Sequence, residues 1–144
     1  MPVELNKKEL FRRGITGEEI ILYGRIPTMI SSQCINQTKD KCQAYNKATL
    51  SSIKDRKGQK LPVCFDCCSC TNIIYNSVPS CLFGERDFVR KMCPSSLRVD
   101  FIDENIESIR NIMGYVYDFI EGKSVDISSN DFKFTKGHIN RGVE

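Results

Sequence analysis

The chain has 144 residues, room for one domain of ordinary size, and its 40% apolar and 27% charged content is that of a globular protein, not a disordered one. Its 21 Lys and Arg against 18 Asp and Glu leave a net charge of +3, which neither demands nor excludes nucleic acid. No apolar run approaches the roughly 20 residues of a membrane span, and the first residues carry no apolar secretion signal, so a reducing, cytoplasmic setting is expected.

Taken in order, Val3–Asn6 reads as a short strand, and Asn6 with Glu9 forms a capping-box start for a helix over Lys7–Arg13 that Gly14 ends. Glu19–Gly24, rich in branched and aromatic residues, is a second strand. Pro27 to Lys47 shows neither helical nor strand period. Leu50–Lys54 and Gln59–Val63 flank Asp55-Arg-Lys-Gly58, a hairpin signal in which Gly58 supplies the positive φ of a short loop. Ile73–Tyr75 is β-like, and Glu85–Met92 is a helix stopped by Pro94. Leu97 to Ile102 alternates, with Leu97, Val99 and Phe101 on one side and Arg98 and Asp100 on the other. Asp103 is then expected to cap a long helix whose core stripe is Ile106, Ile109, Ile112, Met113, Val116, Phe119 and Ile120, with Gly122 at its end. From Ser124 the chain is polar and aperiodic.

Strands and helices in alternation imply βαβ units and a parallel sheet. Polar residues on the second face of a parallel strand fit a barrel mouth, where ligands meet strand ends. An edge strand with one wet face is the alternative. Arg98, Asp100, Glu4, Asn6 and Arg25 are the candidates for such a polar cavity, with His138 folding back onto it.

His138 is the single histidine, so a zinc-protease His-Glu-x-x-His helix and any two-histidine metal site are excluded. Metal would rest on thiolates or carboxylates. Eight cysteines fall short of the roughly 8–10% of a disulfide scaffold, and four of them crowd into Cys64, Cys67, Cys68 and Cys70. Cys67-x-x-Cys70 is a chelating pair on a turn; Cys34 and Cys42 are the natural second pair, with Cys64 and Cys68 as substitutes. Four thiolates suit zinc and an iron–sulfur cluster equally. Cys81 and Cys93 read as ordinary core cysteines. Lys39 to Lys60 holds seven basic residues against Asp40 and Asp55, a basic hairpin able to meet phosphates, although Tyr45 is its only aromatic.

Several phrases taken together are familiar. Tyr23-Gly-Arg-Ile-Pro-Thr-Met-Ile-Ser-Ser-Gln-Cys34, Asp55-Arg-Lys-Gly58, Leu61-Pro-Val63, Cys67-x-x-Cys70-x-Asn72, Ile74-Tyr-Asn-Ser-Val-Pro79 and Leu97-Arg-Val-Asp-Phe101 occur in order, followed by Phe134-Thr-Lys-Gly-His138 and Arg141-Gly-Val-Glu144. In these the chain resembles the C-terminal part of the catalytic domain of the collagenase-like peptidase family U32. The resemblance implies a partial TIM-type α/β barrel made of its last βα units, with a cysteine-rich β-hairpin insert. Residues 1–123 would form the partial barrel, with the metal-binding insert at about 27–72 and a polar tail over 124–144. Cys34, Cys42, Cys67 and Cys70 match the family's four cluster cysteines, which implies a 4Fe–4S cluster, with zinc as the alternative. A complete barrel takes roughly 250 residues, so the chain is expected to be a fragment whose partners are RNA or the missing N-terminal barrel half in another chain.

The implied activity is that of an RNA-modifying or other hydroxylation enzyme. The alternatives are a collagenase-like peptidase, with Asp100 and Glu4 as acid–base carboxylates and Arg98 beside them, and a structural zinc module.

Overall fold

The computed structural model describes residues 1–14, 16–33, 48–125, 127 and 132–140. They form two compact units, Met1–Gly24 with Val78–Glu144, and Arg25–Ser77.

The first unit opens with helix α1, Lys7–Arg13. Asn6 Oδ1 accepts the Glu9 N–H at 3.0 Å and Glu9 Oε2 accepts the Asn6 N–H at 2.9 Å, the reciprocal cap that the sequence predicts. Gly14 ends the helix in the left-handed region at φ 63°. Val3–Asn6 is not a strand: no described strand pairs with it, and Asn6 is committed to the cap. Strand β1, Glu19–Gly24, lies inside this unit's sheet. The second unit contributes β2 (Pro27–Ser31), β3 (Ala48–Lys54), β4 (Lys60–Asp66) and β5 (Thr71–Tyr75). The first unit resumes with β6 (Ser80–Cys81), a 3-10 turn at Phe83–Glu85, α2 (Arg86–Lys91), β7 (Ser96–Val99) and α3 (Ile106–Ile120).

The sheet of the first unit has the order β6-β1-β7. β1 runs parallel to β7, with Ile20 opposite Leu97, and antiparallel to β6, with Tyr23 opposite Cys81. Leu10, Ile20, Leu22, Leu82, Phe83, Phe88, Val89, Ile112, Val116 and Phe119 close its core. Asn105, not Asp103, caps α3, its Oδ1 accepting the Ser108 N–H at 2.8 Å. The buried face of α3 is narrower than its apolar pattern: Ile112, Val116 and Phe119 are buried, while Ile106 and Ile120 are exposed. The Arg86 guanidinium donates to the carbonyls of Phe119, Gly122 and Lys123 at the negative end of α3 and lies 5.0 Å over the Phe119 ring. The polar stretch near the C-terminus also joins the core. Ile139 is buried, its carbonyl accepting the Lys7 N–H at 2.9 Å, and Phe132 packs edge-on against Tyr23 with ring centroids 5.7 Å apart.

The second unit is a four-stranded antiparallel sheet of order β2-β5-β4-β3. The predicted hairpin is β3 and β4, paired without a break from Ala48↔Asp66 to Lys54↔Lys60, with Gly58 at φ 77° in the connection. β2 escapes a reading by period because it is an edge strand, exposed from Pro27 to Ile30. Val63, Phe65 and Ile74 form the core of this unit, flanked by Ile53, Leu61 and Cys67.

The expected partial TIM-type barrel is therefore corrected. The described residues form a small mixed α/β fold with three helices and mostly antiparallel strands. A barrel needs successive parallel strands joined by helices, and β1 with β7 is the one parallel strand pair among the described residues.

Candidate metal centre

The cysteine turn begins where β4 ends. Asp66, the last residue of β4, uses Oδ1 to accept the Cys68 N–H at 3.0 Å and Oδ2 to accept the Ser69 Oγ–H at 2.7 Å. These bonds, the Ser69 hydroxyl first, hold its carboxyl below the usual carboxylate range. Asp66 is thus the scaffold of the turn, holding it through the Ser69 hydroxyl, the Cys68 N–H and the Cys68 side chain. Cys70 sits at φ 53°, a left-handed conformation uncommon for a residue with a Cβ, and it returns the chain into β5 at Thr71. Cys67 is half-buried against Val63, Phe65 and Ile74, whereas Cys68 and Cys70 are exposed. None of the three, nor Cys64, is in a disulfide among the described residues.

Cys34 and Cys42 lie outside the described residues, and their flanks are informative. β2 ends at Ser31 opposite Asn72, and β3 begins at Ala48 opposite Asp66. Asp66 in turn pairs with Thr71. The chain therefore leaves β2 and re-enters at β3 on the end of the sheet where the cysteine turn stands. Asn72 reinforces this end. It is only 1% exposed, and its Nδ2 donates to the carbonyls of Ser31 (3.3 Å) and Gln33, the residue before Cys34. A buried amide spent on two carbonyls of an edge segment fixes where that segment departs. Two thiols two residues apart on a turn, with no competing charged ligand inside the turn, fit a soft metal held by thiolates. Among the described residues, no group of three or more metal-ligating side chains comes together.

The polar residues assigned to a barrel mouth stand elsewhere. Arg98 on β7 donates from Nη1 to Glu19 Oε1 and from Nε to Asp100 Oδ2, each at 3.0 Å. Arg98 and Glu19 are exposed, at 46% and 45%, and Asp100 is half-exposed at 33%. β7 is an edge strand and this is its wet face, so the cluster is a surface ion-pair network and not the lining of a barrel. Asp100 is held close to β1: its N–H donates to the Tyr23 carbonyl at 2.9 Å, and a Cβ placed on Gly24 would come within 2.8 Å of the Asp100 Cβ. Glu4 is exposed and makes no hydrogen bond or ion pair among the described residues. Asn6 is committed to capping α1. Arg25 belongs to the other unit, where its Nη1 donates to the carbonyls of Asn76 (3.0 Å) and Ser77 (2.7 Å). His138 is exposed next to buried Ile139, and the Lys7–Ile139 backbone bond puts it on a segment neighbouring Asn6.

Two polar clusters escape a reading by pattern. Glu85 accepts from Lys7 Nζ at 2.6 Å and from Lys136 Nζ at 2.7 Å. Burial favours its neutral form, but the two ammonium groups outweigh that and hold its carboxyl below the usual value. Tyr23 Oη donates to Glu104 Oε1 at 3.0 Å, and Glu104 Oε2 accepts the Ile102 N–H at 2.7 Å. Their partners lie far apart in sequence, and no local spacing announces them.

The chain matches no protein-family description, no curated protein and no solved structure. No helix among the described residues is long and apolar enough to cross a membrane.

Proposed function

We propose that the chain is a metal–thiolate module, the cluster-bearing part of a hydroxylating enzyme of the kind its sequence resembles in family U32. Cys67 and Cys70 supply one pair of ligands, and Cys34 and Cys42 the other. The observation that carries this reading is the convergence of the β2 exit, the β3 entry and the cysteine turn on one sheet end, clamped by buried Asn72. The small apolar core of Arg25–Ser77 supports it too, because a unit of about 50 residues generally needs a metal, disulfides or a partner to fold. The resemblance favours a 4Fe–4S cluster over zinc. When bound, such a cluster supplies one-electron chemistry at a potential set by burial and by hydrogen bonds to its sulfurs. The peptidase reading gains no support from the geometry, since Asp100 is engaged by Arg98 on an open surface and Glu4 bonds to neither.

The test is purification without oxygen, followed by iron, zinc and acid-labile sulfide analysis and visible absorption. Iron and sulfide in a brown protein, both lost in Cys67→Ala/Cys70→Ala, is the expected result. Zinc without sulfide makes the chain a structural zinc module. Neither metal overturns the proposal.

A further inference from the structure

Among the described residues β3 is an open edge. Its register with β4 is unbroken over all seven residues, and no described strand pairs with its other side. The bond from the Asp55 N–H to the Gln59 carbonyl sets the phase of this ladder. Hydrogen-bonded pairs recur at every second residue of an antiparallel ladder. Ile53, Ser51 and Thr49 therefore turn their backbone groups toward β4, and Lys54, Ser52, Leu50 and Ala48 turn theirs outward. Edge strands usually carry a device against pairing. The opposite edge, β2, has two, Pro27 and a bulge between Pro27 and Met29. β3 has no proline and no bulge; Lys54, at its last position, is its only charge.

The charge at that end is not offset. Lys54 and Lys60 stand directly opposite each other, a repulsive cross-strand pair. Arg56 and Lys57 project from the connection between them, and all four residues are exposed with no ion pair among the described residues. Asp55 is the one acid there, and its Oδ1 is occupied by the N–H groups of Lys57 and Gln59, each at 2.8 Å. Residues 48–60 contain no aromatic side chain on which a base would stack, which disfavours a nucleic-acid strand.

We propose that β3 is a docking edge for an extended acidic segment of a partner protein. The segment adds as a fifth strand. Its backbone pairs with the outward groups of Leu50, Ser52 and Lys54, and its carboxylates meet Lys54, Arg56, Lys57 and Lys60. Backbone bonds supply affinity in this mode, and the cations set register. Leu50, 47% exposed, gives alternate side chains of the segment an apolar contact.

The test is fluorescence anisotropy of the full chain with a labelled peptide of alternating glutamate and valine. Saturable binding is expected, weakened at least about tenfold by Lys54→Glu/Lys60→Glu. Ser52→Pro removes an outward donor while sparing the ladder to β4, and it abolishes binding. Peptides N-methylated at every second residue give a readout that leaves the protein untouched: methylation in one phase abolishes binding and in the other preserves it. Binding indifferent to both phases, or no binding at all, overturns the proposal. So does a single-stranded oligonucleotide of equal charge that binds as tightly as the peptide, which would make the tip a nucleic-acid site.

Discussion

The two units hold together by different means. Met1–Gly24 with Val78–Glu144 wraps a continuous core, in which Leu10, Ile20, Leu22 and Leu82 are essentially inaccessible and aromatic rings from three segments interlock. In Arg25–Ser77 the described core comes down to Val63, Phe65 and Ile74, and most of β2 and β3 faces water. Burial contributes in proportion to the apolar area removed from water, so the first unit is secured by volume and the second has little volume to use. The comparison teaches that polar fixtures must do in the second unit what the core does in the first. Those fixtures are the Asp66 turn and the Asn72 clamp.

If the proposed metal is bound, removing it is the sharpest way to break this contrast. Chelation, or Cys67→Ala/Cys70→Ala, should unfold Arg25–Ser77 and leave the other unit folded, an effect on the order of 10 kcal/mol if four thiolates hold the ion. Hydrogen exchange read by mass spectrometry checks it: protection should vanish in β4 and β5 and persist in β1 and α3. Equal loss in both units would show that they are one cooperative body. The converse experiment is Leu22→Ala. Leu22 is fully buried in the first unit, and its truncation should cost about 2–5 kcal/mol there by denaturant unfolding, with protection in the β3–β4 hairpin unchanged.

Local signals were readable in the sequence wherever one residue type has one physical job. Asn6 and Glu9 announce a cap, Gly14 and Gly58 a left-handed turn, and the Cys67–Cys70 spacing a turn between strands. Strand direction was not readable, because alternation is the same in parallel and antiparallel sheets; the order of strands and helices suggested βαβ units and the family resemblance a barrel, and a largely antiparallel fold is found. The same blindness affected Arg98 and Asp100. Alternation puts them opposite Leu97 and Val99, but it says nothing about what covers that face, and here water does. Ile139 and Phe132 lie in a polar stretch with no period, so their burial depends on distant segments. Asn72 had no signal except its place two residues after Cys70.

Asn72→Ala should cost about 1–3 kcal/mol, because the carbonyls of Ser31 and Gln33 lose their donor in a buried position. Thermal unfolding measures this, and metal content measured on the same preparation sharpens the comparison. A clamp that serves the metal centre lowers both. A fall in stability with full metal content would confine Asn72 to the sheet.

The smallest expected effect belongs to the first unit, at Glu85. Its carboxyl titrates lower in the folded chain than its ordinary value of 4.5, because Lys136 and Lys7 favour the anion against the opposing effect of burial. As pH falls, the unfolded chain binds this proton before the folded chain does. The stabilisation is therefore whole above the ordinary value and is lost as pH drops through the lower, folded one. Both ammonium groups remain partly open to water, so each pair contributes on the order of 1 kcal/mol or less. Glu85→Gln should lower the melting temperature at pH 7 by a few degrees and flatten its decline between roughly pH 5 and 3. Because Lys136 tethers the C-terminal segment and Lys7 belongs to α1, the same change should raise exchange in both and leave Arg25–Ser77 untouched. Unaltered exchange at those two places would mean that the buried Ile139 anchor alone keeps the segment seated, which would return the first unit wholly to its apolar core.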